Sequence, residues 1–516
     1  MRCAKEWRFE FEKLKAIPHS DIHEILKISF DGLDDDTQSV FLDIACIFHG
    51  FYKDEVTKTL NACGFHSESA ISTLVRKCLL QRDMYHLVMH DLVRDMGREV
   101  VHMESPRDPG KRSRLFSPQA VHDVLQGNKV EVLKVDGQAL TGESLSTKAF
   151  KKMKNLRVLI IDELHISGDF ELLSKEFRLL SWLKCPLKCI PSKFPAEKLV
   201  VLDMKESNIQ EFGLNLKCKR LKRTPNFSGS KSLETLRLRG CSSLKEIHQS
   251  IGNLDRLIDL DLNGCKKLAD LPRSICQLKS LANLNIGSCS SKHALPVDLG
   301  DMQSLKKLLS LYAGIKQLPG SVELLRDLVI LEVGGQNEEA NRSFSRRRVH
   351  RVQSLSTSIS QLSITYCVLS EEDIPRDIGS LSSLLSLDLS GNNFQCLPFD
   401  FSKLGCLESL KLSDRENLQT HPSVSKLENF KKFELVNCKN LVKITSSYGQ
   451  SIQRRLLYLT CSSISMQKSS KSEIEDHSHS QMKRSLEITE VSGEKVPKYS
   501  FTSILDQKTN VLNARV

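Results

Sequence analysis

Several things are missing from this chain, and each absence narrows what it can be. It holds no apolar run of about 18 residues, the least that crosses a bilayer as a helix, so no membrane-spanning helix is expected. Its start, MRCAKEWRFE, has no apolar stretch of the kind a secretory signal needs. A phosphate-binding loop, Gly-x-x-x-x-Gly-Lys-Ser/Thr, is also absent; the only Gly-Lys pair is Gly110-Lys111, followed by Arg112, with no strand leading into it. Paired metal-ligand spacings are missing as well. Cys185 and Cys189 have no second pair, and His477 and His479 stand alone, so no metal site is expected. No nucleophile–base set completes a catalytic reading, and the chain is not expected to be an enzyme. Sixteen cysteines without a secretory signal point to free thiols in a reducing compartment. The cytoplasm, with the nucleus as a further compartment, is the expected location.

What is present is organised around residues 233–289, which align as LETLRLRGCSSLKEI, LIDLDLNGCKKLADL and LANLNIGSCSSKHAL. Leu236, Leu260 and Leu284 recur every 24 residues, the leucine-rich-repeat signature in its cysteine variant. One repeat alone cannot bury its leucines, so the repeats must stack into a continuous core. Cys241, Cys265, Cys289, Cys367 and Cys438 share one column and read as small buried residues at each turn. The step continues at Leu308, Leu331, Leu362, Leu387, Leu410 and Phe433, with Ser310 where a leucine is expected. Leu202 to Leu216 is only 14 residues, which reads as a partly deleted repeat.

Earlier in the chain the pattern is helical. Ser20/Asp21 and Asp34–Asp36 cap two helices, the second with Val40, Phe41, Ile44, Ala45 and Phe48 on one face. Lys53–Cys63, Glu68–Cys78 and Asp91–Met103 read as three more, with two short strands in LLQRDMYHLVMH, the elements of a winged helix. Residues 1–130 hold 18 Lys and Arg against 20 Asp and Glu. This segment therefore lacks the positive charge that supplies non-specific DNA affinity, and no nucleic-acid partner is expected. The net charge of +11 arises in the remainder, with one cluster at Arg342, Arg346, Arg347, Arg348 and Arg351 that reads as a solvated loop.

ISFDGLDDDTQSVFLDIACIF, Met89-His90-Asp91 within VMHDLVRDMGREVV, and SPRDPGKRSRLF together resemble the plant TIR-type nucleotide-binding leucine-rich-repeat disease-resistance receptors over about residues 5–130. The resemblance implies that His90, with Met89 and Asp91, lies near the β-phosphate of ADP and holds the receptor off. The bland alternative is that His90 packs or caps where the wing meets the last helix. ADP and ATP are the nucleotides of the intact family. With no phosphate loop and no TIR domain, this chain alone is expected to bind neither and to cleave no NAD.

The fold expected is multidomain: a mainly α winged helix, then an α/β leucine-rich-repeat solenoid with parallel strands on its concave face, then a disordered tail. Residues 1–18 read as a remnant of a nucleotide-binding region, 19–105 as the winged helix and 106–130 as a connector. Residues 131–445 read as about 11–12 repeats, and 446–516 as the serine-rich tail. Between the paired apolar positions of the strands lie Arg237, Asp261, Asn285, Leu309, Glu332, Ser363, Asp388, Lys411 and Glu434. This mixed column suits a protein ligand, a pathogen effector or a guarded host protein, better than a phosphate backbone. A shortened regulator that pairs with full-length receptors is the alternative function.

Overall fold

A computed structural model describes residues 19–438, apart from 117–128, 138–144, 213–229, 336–354 and breaks of up to five residues, together with 456–460. Five α-helices open it: α1 (His19–Asp31), α2 (Asp35–Asp43), α3 (Lys53–Ala62), α4 (Ser67–Arg76) and α5 (Asp91–Met103). Asp34 starts α2 by accepting hydrogen bonds from the Thr37 amide at 2.9 Å and hydroxyl at 2.7 Å. Asp35 and Asp36 add negative charge at the positive end of the helix dipole. The helix runs into a π-helical stretch, Ile44–Phe48, and the five expected apolar residues from Val40 to Phe48 are fully buried.

Packing of α5 on this face is close enough to require glycine. A β-carbon at Gly97 would sit 2.7 Å from Ala45 Cβ and 2.9 Å from the Phe41 ring. Gly97→Ala gains about 1 kcal/mol of helix propensity. Overpacking costs ~1–3 kcal/mol. The variant should therefore melt below the parent in thermal denaturation. An unchanged or higher melting temperature would show that α5 has room to move away.

The wing differs from expectation. Gln81 N–H donates to Val88 O at 2.8 Å, which closes the hairpin. Its outgoing arm then pairs with the segment before α3: Leu87 N–H with Phe51 O at 3.0 Å, Gly50 N–H with Leu87 O at 2.7 Å, and Lys53 N–H with Tyr85 O at 2.7 Å. A lone two-stranded hairpin is marginal in water, and a third segment satisfies its outer backbone groups.

Fifteen parallel strands form one sheet along the solenoid, from Arg114–Leu115 to Leu456–Thr460. Leu236, Leu260, Leu284, Leu308, Leu331, Leu362, Leu387, Leu410 and Phe433 stand opposite one another in register. The 24-residue step therefore sets the register. The sheet exceeds 11–12 repeats in part because the connector supplies its first strand and the segment after 445 its last. Leu202 pairs directly with Leu236, so the strands there lie 34 residues apart, and much of the stretch read as a partly deleted repeat falls outside the described residues. Leu216 itself lies outside the described residues, as do Arg342 to Arg351 and both tail histidines.

The cysteine column has a specific job. The thiols of Cys241, Cys265, Cys289 and Cys438 donate to carbonyls of the preceding repeat, Met204, Leu238, Leu262 and Leu412, at 3.0 to 3.3 Å. Asn392 fills the same column with an amide that donates to Ile364 O at 2.6 Å and accepts from the Cys367 and Leu369 amides. Ser310, in a leucine position, is fully buried and donates to Glu332 O at 2.7 Å. All described cysteines are free, and burial pushes the Cys241 and Cys289 thiols up to about 12.

Candidate functional site

Strand alternation divides the first repeats between two cores. Leu133, Leu159, Leu180 and Leu202 point into the solenoid core. Their neighbours Val132, Val158, Leu179 and Val201, with Ile160 and Val200, join a second core with Val40, Phe41, Phe48 and Leu60 of the helical domain. That domain therefore sits on the concave face of the first repeats.

Ionic contacts frame this apolar contact. Asp43, at the end of α2, is fully buried between Arg114 Nε at 3.0 Å and Arg157 Nη2 at 2.7 Å. These three residues come from the helical domain, the connector strand and the position just before the repeat strand Val158–Asp162. Arg157 also reaches Glu131 at 3.3 Å and lies over the Phe65 ring. From α3, Glu55 pairs with Arg237 at 2.6 Å and Lys58 with Asp259, while Ala62 O accepts from Arg178 Nε at 2.8 Å. Spacings of three and four along a helix place Glu55, Lys58 and Ala62 on one face, which meets the sheet.

Arg237 is thus corrected from a partner-binding position to a domain-contact residue. Asp261 is half-buried beside it, and burial raises its carboxyl above the usual range. The signal for this contact lay in the sequence. The residue just before the strand leucine is apolar in the early strands, Val132, Val158, Leu179 and Val201, and polar in the next three, Thr235, Asp259 and Asn283.

Beyond Asp261 the remaining positions form one row in register: Asn285, Leu309, Glu332, Ser363, Asp388, Lys411 and Glu434. Asn285 Oδ1 accepts from Gly287 N–H at 3.1 Å. Glu434 holds Lys411 at 3.4 Å and Lys432 at 2.6 Å. Glu332 and Asp388 make no ion pair among the described residues.

His90 is exposed and caps α5, its Nδ1 accepting from Leu92 N–H at 3.3 Å. Met89 is buried and donates its N–H to His49 Nδ1 at 3.2 Å. Burial, and then Arg94, hold the His49 imidazole below its usual range, consistent with a neutral acceptor. Asp91 pairs with Arg94 at 2.9 Å. A nucleotide phosphate needs several convergent N–H groups and a lysine. His90 and the start of α5 alone do not make up that set. Cys185 is a buried thiol, pushed up to about 12 by burial, and no metal-holding cluster exists among the described residues.

The class this architecture defines is a winged helix seated on a leucine-rich-repeat solenoid. Residues 34–105 match the winged-helix domain of Roq1-like disease resistance proteins. The chain is 28% identical to TMV resistance protein N of Nicotiana glutinosa, over 81% of this chain and 44% of that protein. It is 34% identical to disease resistance protein RUN1 of Vitis rotundifolia, over 49% of this chain and 22% of that protein. A leucine-rich-repeat protein of Leptospira interrogans aligns at 20% identity and a TM-score of 0.38, over 68% of this chain and 94% of that one. The chain is a homologue of plant TIR-type nucleotide-binding leucine-rich-repeat disease resistance proteins. It spans less than half the length of these relatives.

Proposed function

We propose that this chain is the recognition part of an intracellular plant immune receptor, acting in the cytoplasm and the nucleus. It reads a pathogen effector or a guarded host protein on the concave face beyond Asp261. The observation that carries this reading is the division of that face: apolar and covered by the winged helix at one end, mostly polar and not covered by any other described segment at the other. The helical domain on the covered half would report ligand binding to a nucleotide switch, in which His90 faces ADP and holds the receptor off. Retrieval from infected and uninfected leaf extracts with the purified chain tests the reading. A receptor should retrieve an effector or a host target; retrieval of full-length receptors alone would favour the regulator, and no specific retrieval would overturn both.

The switch reading carries a prediction for the isolated chain. His90 alone does not replace a phosphate loop, so calorimetry with ADP should give no tight binding. A Kd on the order of 1 µM, about −8 kcal/mol, would overturn this.

A further inference from the structure

The half of the concave face beyond the winged helix carries a second feature besides its row of side chains. The turn after many of the strands holds a left-handed residue, a conformation glycine adopts freely and bulky residues rarely. Gly240, Gly264 and Gly391 serve there at φ between 70° and 76°. Two other strands place tyrosine at the turn, Tyr312 at φ 60° and Tyr366 at φ 52°. The Tyr366 ring lies flat on Gly391, where a β-carbon would come within 2.2 Å of it, and its hydroxyl donates to Asp414. Tyr312 is 44% exposed. Two phenol rings thus line the rim beside the strands that carry Glu332 and Asp388.

Those carboxylates stand two strands apart, about 10 Å by strand spacing, with Ser363 between them. Burial, and then the Asp388 charge, push the Glu332 carboxyl above its usual range. This local charge runs against a net charge of +11 for the whole chain. The same sheet takes a cation a few strands earlier, where Asp259, in the row two residues before that of Glu332 and Asp388, receives Lys58 from α3.

We propose that Glu332, Asp388, Tyr312 and Tyr366 form a docking surface for a lysine- or arginine-bearing segment of a protein partner. The ammonium or guanidinium group pairs with the carboxylates, and its apolar stem and charge lie against the tyrosine rings. This deepens the receptor reading by naming the chemistry of the ligand. It rests on that reading only for who supplies the segment.

The test is fluorescence anisotropy on the purified full chain, with a labelled octapeptide of alternating lysine and glycine and its glutamate counterpart. The lysine peptide should bind saturably and weaken with added salt, and the glutamate peptide should not bind. Glu332→Gln with Asp388→Asn should weaken binding tenfold or more, and Tyr312→Ala several-fold. The exposed pair Asp255→Asn and Asp270→Asn, away from this face, should leave it unchanged. Ser363→Lys, which places a cation between the two carboxylates, should also abolish binding and serves if the double variant does not fold. Equal weakening by the control pair, or no preference for lysine over glutamate, would overturn the proposal. So would a chain that binds the peptide only after Arg346, Arg347 and Arg348 are changed to Gln, because the occupant would then be its own basic segment. The peptide titration and the leaf-extract retrieval fail independently, so a false receptor reading and a false docking surface are distinguishable.

Discussion

Asp43→Ala should be among the most damaging single substitutions in the chain, costing ~3–5 kcal/mol in equilibrium urea unfolding. The wild-type carboxylate is fully buried and bridges two arginines that are themselves nearly buried, Arg114 at 3.0 Å and Arg157 at 2.7 Å. Removing it leaves two guanidinium charges in a low-dielectric contact with their main counter-charge gone. The loss should also appear at the junction between the domains. Hydrogen exchange should speed up in α3 and in the strands at Val158–Asp162 and Leu179–Leu183 before the distal repeats respond. If Asp43→Ala unfolds at the same urea concentration as the parent, the three-way contact does not hold the domains together. The bond also joins FLDIACIF to KRSRLF, motifs separated by some 70 residues, and gives both a structural reason to be there.

The second large effect lies in the repeat core. Leu260 is 1% exposed and stacks between Leu236 and Leu284. Leu260→Ala should therefore cost ~2–5 kcal/mol, because neighbouring rungs cannot collapse into the cavity without losing register. Reductant should leave the melting curve where it is. The column thiols are protonated donors to backbone carbonyls, and burial keeps them so. A fall in melting temperature with reductant would mean that disulfides contribute and would contradict the thiol ladder.

Much of this fold was legible in the sequence because its determinants are local. A 24-residue step brings Leu236, Leu260 and Leu284 to the same height on successive rungs, and period-2 alternation then fixes which residues face outward. Helix caps such as Asp34, and the apolar face from Val40 to Phe48, need only a few neighbouring residues to be read. Even the cysteine column was readable as buried, although its bonds to the preceding repeat were not.

Which half of the concave face is covered was decided by tertiary structure. Lys58 and Asp259 are 201 residues apart, and Asp43 and Arg157 are 114 apart. No periodicity connects such pairs. In the sequence, the row from Arg237 to Glu434 shows no boundary along its length. Docking of α3 divides it, so Arg237 becomes an internal contact while Glu332 and Asp388 keep carboxylates without an ion pair among the described residues. The valines at 132, 158 and 201 carried the hint, since apolar side chains on an outward row must be buried by something. A sequence shows that such a face needs a cover, because leaving it in water is costly. Only the folded chain shows which surface supplies that cover, because the choice depends on shape and charge fitting across distant segments.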